Sequence, residues 1–199
     1  NGDATTLADS IASVMVELPP SKQNMADAFV TSAGRTTRGL RYCVNGTQPP
    51  GVDEAVEFAV RPSCKTDLRN SFATVLSMFP GTRQLAAALA ERIAERCDAM
   101  TSMPTVFDDH YISCGGLMYQ LMTGRDMYCL DLRPQFNQIL GRTNDNRFIE
   151  SHPYDLAGLL TAEKAGVIMT DGLGQRLDAP LDVHTGVGWC GYANSTIRE

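Results

Sequence analysis

The sequence predicts a layered α/β (α+β) protein: an antiparallel sheet half followed by a mixed α/β half. Three observations predict it. Apolar and polar residues alternate over roughly the first sixty positions, and from about residue 66 helical and strand patterns take turns. The run from His152 to Gly172 reads as a helix opened by an acid and closed by a glycine, then a buried strand and an Asp-Gly turn. The halves are expected at residues 1–63 and 64–199.

Ser10, Ala12, Val14, Val16 and Leu18 alternate with more polar neighbours until Pro19-Pro20 stops the strand. Residues 28–31 and 40–44 flank Ala33-Gly34-Arg35, which predicts an antiparallel hairpin. Residues 56–60 form another alternating strand, and residues 45–54, rich in Pro and Gly, form an exposed loop. One face of this sheet should be apolar and exposed unless something covers it.

Thr82 is placed to cap a helix over 83–99, with Leu85, Leu89, Ile93 and Cys97 as its core stripe. A second helix should follow the Cys114-Gly115-Gly116 turn, burying Leu117, Met118, Leu121 and Met122 and stopping at Gly124. Residues 127–132, 167–170 and 187–193 read as strands, with a helix over 154–165. Pro153 suits its first position and Gly166 its C-cap, and Asn194 caps a last helix.

The chain has 199 residues, 43% of them hydrophobic and 20% charged, as in ordinary globular proteins. A net charge of −6 argues against a nucleic-acid partner, and no apolar run is long enough for a membrane span. An acidic balance still allows a phosphorylated substrate, because a bound divalent cation inverts the local charge. Cys43, Cys64, Cys97, Cys114, Cys129 and Cys190 form no Cys-x-x-Cys pair, so structural zinc is not expected. They read as reduced, mostly buried thiols of a cytoplasmic protein, and the two glycosylation sequons, at Asn45 and Asn194, as accidents.

Asp155 lies in the first turn of the 154–165 helix, where a carboxylate is either a plain cap or a rigidly held functional group. Tyr154-Asp155-Leu156-Ala157-Gly158, then Glu163-Lys164-Ala165-Gly166, then Thr170-Asp171-Gly172-Leu173-Gly174 decide between the two. This run resembles the C-terminal signature of the inositol monophosphatase-like family, within the metal-dependent, lithium-sensitive sugar and inositol phosphatases. Val167 stands where the family has a second glycine. The likeness is specific from about Tyr111 to Asn194. It implies a sugar-phosphatase fold with the active site in the cleft between the halves, Mg²⁺ as cofactor, and Asp155 as a metal ligand. It further implies hydrolysis of a phosphomonoester of a small inositol or sugar, and a homodimer.

By the same resemblance, Ser113-Cys114-Gly115-Gly116 corresponds to a substrate-contacting segment, and Ser113, Cys114 and Gly115 are candidate substrate-binding residues. Small residues at a helix start let backbone N–H groups approach an anion; a plain glycine turn is the other reading. Asp131, Arg133 and Glu150 compete for the acid position that bonds sugar or inositol hydroxyls, because residues 135–151 are an insertion. Arg133 could also fork onto a second phosphate. Asp108-Asp109-His110 is a further acidic cluster, read as a solvated turn. There is no Gly-x-Ser-x-Gly elbow, P-loop or dinucleotide fingerprint.

The family's upstream metal loop, Asp-Pro-Ile/Leu-Asp-Gly-Thr, is not found here. A chain starting at Asn1 and stopping one turn into a helix is expected to be the C-terminal two-thirds of a phosphatase. Such a chain should bind metal weakly. The competing expectation is a non-catalytic fragment or pseudoenzyme that binds a partner or itself.

Overall fold

A computed structural model describes residues 5–17, 24–43, 54–77, 80–97, 106–142 and 149–199. The expected loop at 45–54, except Glu54, lies outside these residues, as do Leu18, Pro19-Pro20, Val44 and the sequon at Asn45.

Strands β1 (Ala12–Val16), β2 (Met25–Ser32), β3 (Arg38–Cys43) and β4 (Val56–Phe58) form an antiparallel sheet in sequential order. The expected hairpin joins β2 to β3, turning through Gly34, whose φ of 81° suits a residue without a Cβ. Alternation sorts the two faces. Phe29 points inward and is fully buried, while Val14, Val16 and Val30 are exposed on the other face, with Val14 paired to Val30. The apolar outer face expected from the sequence is therefore present.

The second sheet has the order β6 (Val106–Phe107), β5 (Ser71–Val75), β7 (Asp126–Asp131), β9 (Trp189–Tyr192), β8 (Ile168–Asp171). β5 runs parallel to β6 and β7, whereas β9 is antiparallel to β7 and β8. Helices α2 (Cys114–Met122) and α4 (Leu159–Ala165) lie between the two sheets. Their Leu117, Met118, Leu121, Leu159 and Ala162 pack with Phe29 on one side and Cys129, Met169 and Trp189 on the other. Helix α1 (Arg83–Arg96) and Phe136 of α3 (Arg133–Ile139) cover the far face through Val75, Met127 and Leu130. A short α5 (Ser195–Arg198) follows β9, capped as expected by Asn194 Oδ1 accepting the Ile197 N–H at 3.1 Å.

Several expectations need correction. The 154–165 helix is two pieces, a 3-10 turn over Pro153–Leu156 and then α4. Gly158 forms the joint: a Cβ there would collide with Met15 Sδ of β1. Gly166 does take the left-handed C-cap, with φ 101°. Cys114-Gly115-Gly116 is the first turn of α2 and not a turn before it, because Ser113 is already the N-cap. Thr82 stands at the cap of α1 in an αR backbone, and its side chain makes no cap bond. Cys43, Cys64 and Cys97 are exposed, so only half of the thiols are buried. Cys97 leaves the α1 stripe because the helix has ended at Arg96. α3, which starts just before the insertion and runs into it, was not foreseen.

Candidate functional site

β7 ends on Asp131, and α3 starts two residues later at Arg133. Both side chains are buried, and the guanidinium grips the carboxylate with both arms, Nε to Oδ1 at 2.8 Å and Nη2 to Oδ2 at 2.6 Å. This is a charge-assisted, two-point pair. The Arg133 fork is thus engaged on Asp131 and not presented to a second phosphate.

Cys114, the first residue of α2, lies 3.9 Å from Asp131 Oδ2. Burial pushes its thiol up to about 12, and the charges of Asp131 and Asp155 push the same way. It is therefore held as a neutral thiol at pH 7.

Asp155 belongs to the same corner. Its Oδ2 accepts the His152 N–H at 2.9 Å, closing the 3-10 turn from within, so the plain cap is real. Its other oxygen receives no hydrogen bond from the described residues, and the side chain is 36% exposed. His152, the N-cap of this turn, stacks on Tyr154 with ring centroids 5.2 Å apart.

Glu150 leads into this turn on an extended segment. Ser151 N-caps nothing but ties the segment to Val187, whose N–H donates to the Ser151 carbonyl at 2.7 Å. Asn137 Nδ2, one turn into α3, donates to Glu150 Oε1 at 2.7 Å. Arg133, Asn137 and Glu150 therefore share one wall; of the three residues the sequence left as competitors for a single role, Asp131 and Arg133 pair with each other and Glu150 is held by Asn137.

The structure brings together Cys114, Asp131, Arg133 and Asp155. Ser113 and Gly115 instead line a cavity of about 350 Å³ between α2 and the first sheet, with Met15, Glu17, Phe29 and Tyr119. The Ser113 hydroxyl is already used, accepting the Gly116 N–H at 3.1 Å. Asp108 and His110 pair with each other at 2.8 Å, and Asp109 accepts from Gln120 at 3.1 Å. Their charges act on Asp126 at the opposite end of β7, away from Asp155.

Sequence reasoning missed Gln135, Asn137 and Trp189. Gln135 Oε1, Asn137 Oδ1 and Trp189 Nε1 are buried without hydrogen-bond partners, three of four such side-chain atoms among the described residues. Gly172, Gly186 and Gly188 gave a signal: a Cβ on any of them would meet the Gln135 amide or the Glu150 carboxylate. Glycines at i and i+2 of an extended segment clear one face of it.

Mg²⁺ takes six oxygen ligands. Asp155 offers one carboxylate, Asp131 is paired, and no group of three His, Cys, Asp or Glu side chains suited to a metal occurs among the described residues. The described residues therefore do not fit a complete Mg²⁺ site. Asp3, Asp53, Asp98 and Asp145 lie outside them.

The two sheets with helices between and outside them form the layered α/β fold of inositol monophosphatase-like proteins. No family model matches the sequence and no curated protein matches it. Among solved structures, CysQ from Bacteroides thetaiotaomicron, a bacterial member of the inositol monophosphatase family, is similar with a TM-score of 0.52 and 13% identity, over 86% of this chain and 58% of that one. Mycobacterium tuberculosis SuhB gives 0.49 and 12% over 92% and 58%, and holo fructose-1,6-bisphosphatase of Leishmania major gives 0.45 and 13% over 88% and 50%. The chain spans little more than half the length of these structures. The likeness to CysQ bears out the fold implied by the motif. No helix among the described residues is long and apolar enough to cross a membrane.

Proposed function

We propose that this chain is part of a Mg²⁺-dependent phosphomonoester hydrolase acting on a small inositol or sugar phosphate. The observation that carries this reading is Asp155: a carboxylate fixed through one oxygen, with the other free, within a family-like motif on a fold shared with CysQ. Bound Mg²⁺ supplies charge neutralisation and an activated water in such hydrolysis. Of this chain's residues, Asp155 contributes one ligand, and Glu150 with its α3 neighbours faces the polyol. The further ligands come from acids outside the described residues or from chain beyond this sequence.

The test is phosphate release from a panel of inositol and sugar phosphates, with and without Mg²⁺. Asp155→Asn serves as control. Metal-dependent turnover, lowered at least a hundredfold by the substitution, supports the reading. A folded protein that neither releases phosphate from any of them nor binds any of them in the presence of Mg²⁺ overturns it in favour of a module that binds a protein partner or itself.

A further inference from the structure

Helix α2 carries two glycines in its first turn, Gly115 and Gly116, although glycine in a helix is unfavourable relative to alanine. Gly116 has a packing reason: a Cβ there would strike the Tyr111 ring, which lies against this turn. Gly115 differs. A Cβ on it would meet Met15 Cε at 3.9 Å, an ordinary contact, with no closer atom among the described residues. The space beside it is the cavity of about 350 Å³ between α2 and the first sheet.

Three aromatic residues line this cavity, Phe29 from β2 and Tyr111 and Tyr119 from the α2 side. Phe29 and Tyr119 meet edge to face at 5.5 Å, and the Tyr119 hydroxyl donates to Asp27 Oδ2 at 3.0 Å, so these rings are fixed. Alternation along β1 turns Met15 inward, and the next inward residue is Glu17, which lines the cavity at only 8% exposure. Rings in this region already carry cations. Arg125 lies 5.3 Å from the Tyr119 centroid, and Arg41 lies 4.9 Å from that of Phe58, which packs on Phe29. Apolar walls alone would select a neutral hydrophobe. Aromatic faces with a carboxylate among them select a cation that bears apolar substituents.

We infer that this cavity binds a small organic cation, a quaternary or alkylated ammonium, with its alkyl groups among the aromatic side chains and its charge beside Glu17. A compact, strongly hydrated cation would lose more water than such walls replace. The site is built by β1, β2 and the Gly115 side of α2. It does not depend on Asp155 or on the hydrolase reading.

The experiment is calorimetric titration of the full chain with choline and with its neutral isostere, 3,3-dimethylbutan-1-ol. Choline should bind about tenfold more tightly or better, the difference a desolvated cation on aromatic faces makes. Gly115→Leu puts a side chain into the cavity without changing the charge, and should weaken choline about tenfold or more. Glu17→Gln removes the carboxylate, and should weaken choline about tenfold while leaving the alcohol within about twofold. Equal binding of the two compounds, or no binding of choline, overturns the inference. So does choline binding that survives Gly115→Leu, which would be general attraction to an acidic protein. If Glu17→Gln does not fold, Tyr111→Leu takes its place, keeping an apolar side chain but losing the ring. Weakened choline binding with the alcohol unchanged then supports the inference, and unchanged choline binding overturns it.

Discussion

Asp126 opens β7 and Asp131 closes it, and both are completely buried. Each has a cysteine beside it, Cys129 with its sulfur 3.2 Å from Asp126 and Cys114 with its sulfur 3.9 Å from Asp131. At the closing end a guanidinium takes both carboxylate oxygens. At the opening end Oδ1 of Asp126 has no partner, and burial with the nearby charges of Asp108 and Asp109 pushes this carboxyl up to about 6. One strand thus carries a satisfied and an unsatisfied version of the same group. The satisfied one lies at the candidate site, where it fixes geometry; the other should show itself as a dependence of stability on pH.

The largest effect is expected at Asp131. Asp131→Ala removes the carboxylate that Arg133 holds with both arms, and breaking a buried pair from one side costs about 3–5 kcal/mol. Replacing both partners, Asp131→Leu with Arg133→Met, should cost much less, because no charge is stranded. Urea unfolding of the three variants checks this. A double variant as unstable as Asp131→Ala would mean that the cost is packing and not charge.

At Asp126 the expected effect is a dependence of stability on pH. Its folded pKa, about 6, lies above the ordinary unfolded value, so between the two the folded chain binds more protons. Stability should therefore be fully present below about pH 4 and fall as pH rises through 6, by about 3 kcal/mol in all. Asp126→Asn should flatten that slope while Asp131→Ala keeps it. An unchanged slope in Asp126→Asn would assign the titration to another group.

Much of this contrast was hidden from the sequence, and particular residues show why. The α2 stripe of Leu117, Met118, Leu121 and Met122 was legible because apolar spacing reports a buried face directly, and all four are buried. Gly166 and Asn194 were legible because caps demand a few residue types. α3 was not, since its buried Arg133 and Asn137 break the apolar pattern that would announce a helix. The split between the 3-10 turn and α4 depends on Met15, more than a hundred residues away in sequence, packing where a side chain on Gly158 would stand. At the site, Asp155 was visible from its local motif. The pairing of Asp131 with Arg133 and of Asn137 with Glu150 follows from how α3 docks, which no local pattern encodes.

A third buried carboxylate extends the contrast. Asp27 is held by both arms of Arg41, at 2.7 and 2.9 Å, and by the Tyr119 hydroxyl at 3.0 Å. Tyr119→Phe removes one donor and leaves the guanidinium, so the loss should be only about 1–2 kcal/mol. A loss as large as that of Asp131→Ala would mean that the tyrosine, and not the arginine, makes this aspartate tolerable in the interior.

The smallest effect tests the cysteine at the unsatisfied end. The Cys129 thiol is fully buried, and burial together with Asp126 raises it well above the ordinary range, so it stays protonated and can donate to the Asp126 carboxylate. That donation favours the charged form of Asp126 and holds its pKa below what burial alone would set. Cys129→Ala should then cost little beyond lost packing at pH 4, where Asp126 is protonated, and about 1 kcal/mol more at pH 8. The fall of stability with pH should become deeper and shift to higher pH. A difference between Cys129→Ala and the parent that stays the same from pH 4 to pH 8 would show that the sulfur only fills space. The two ends of β7 would then differ more than their matching Asp and Cys neighbours suggest.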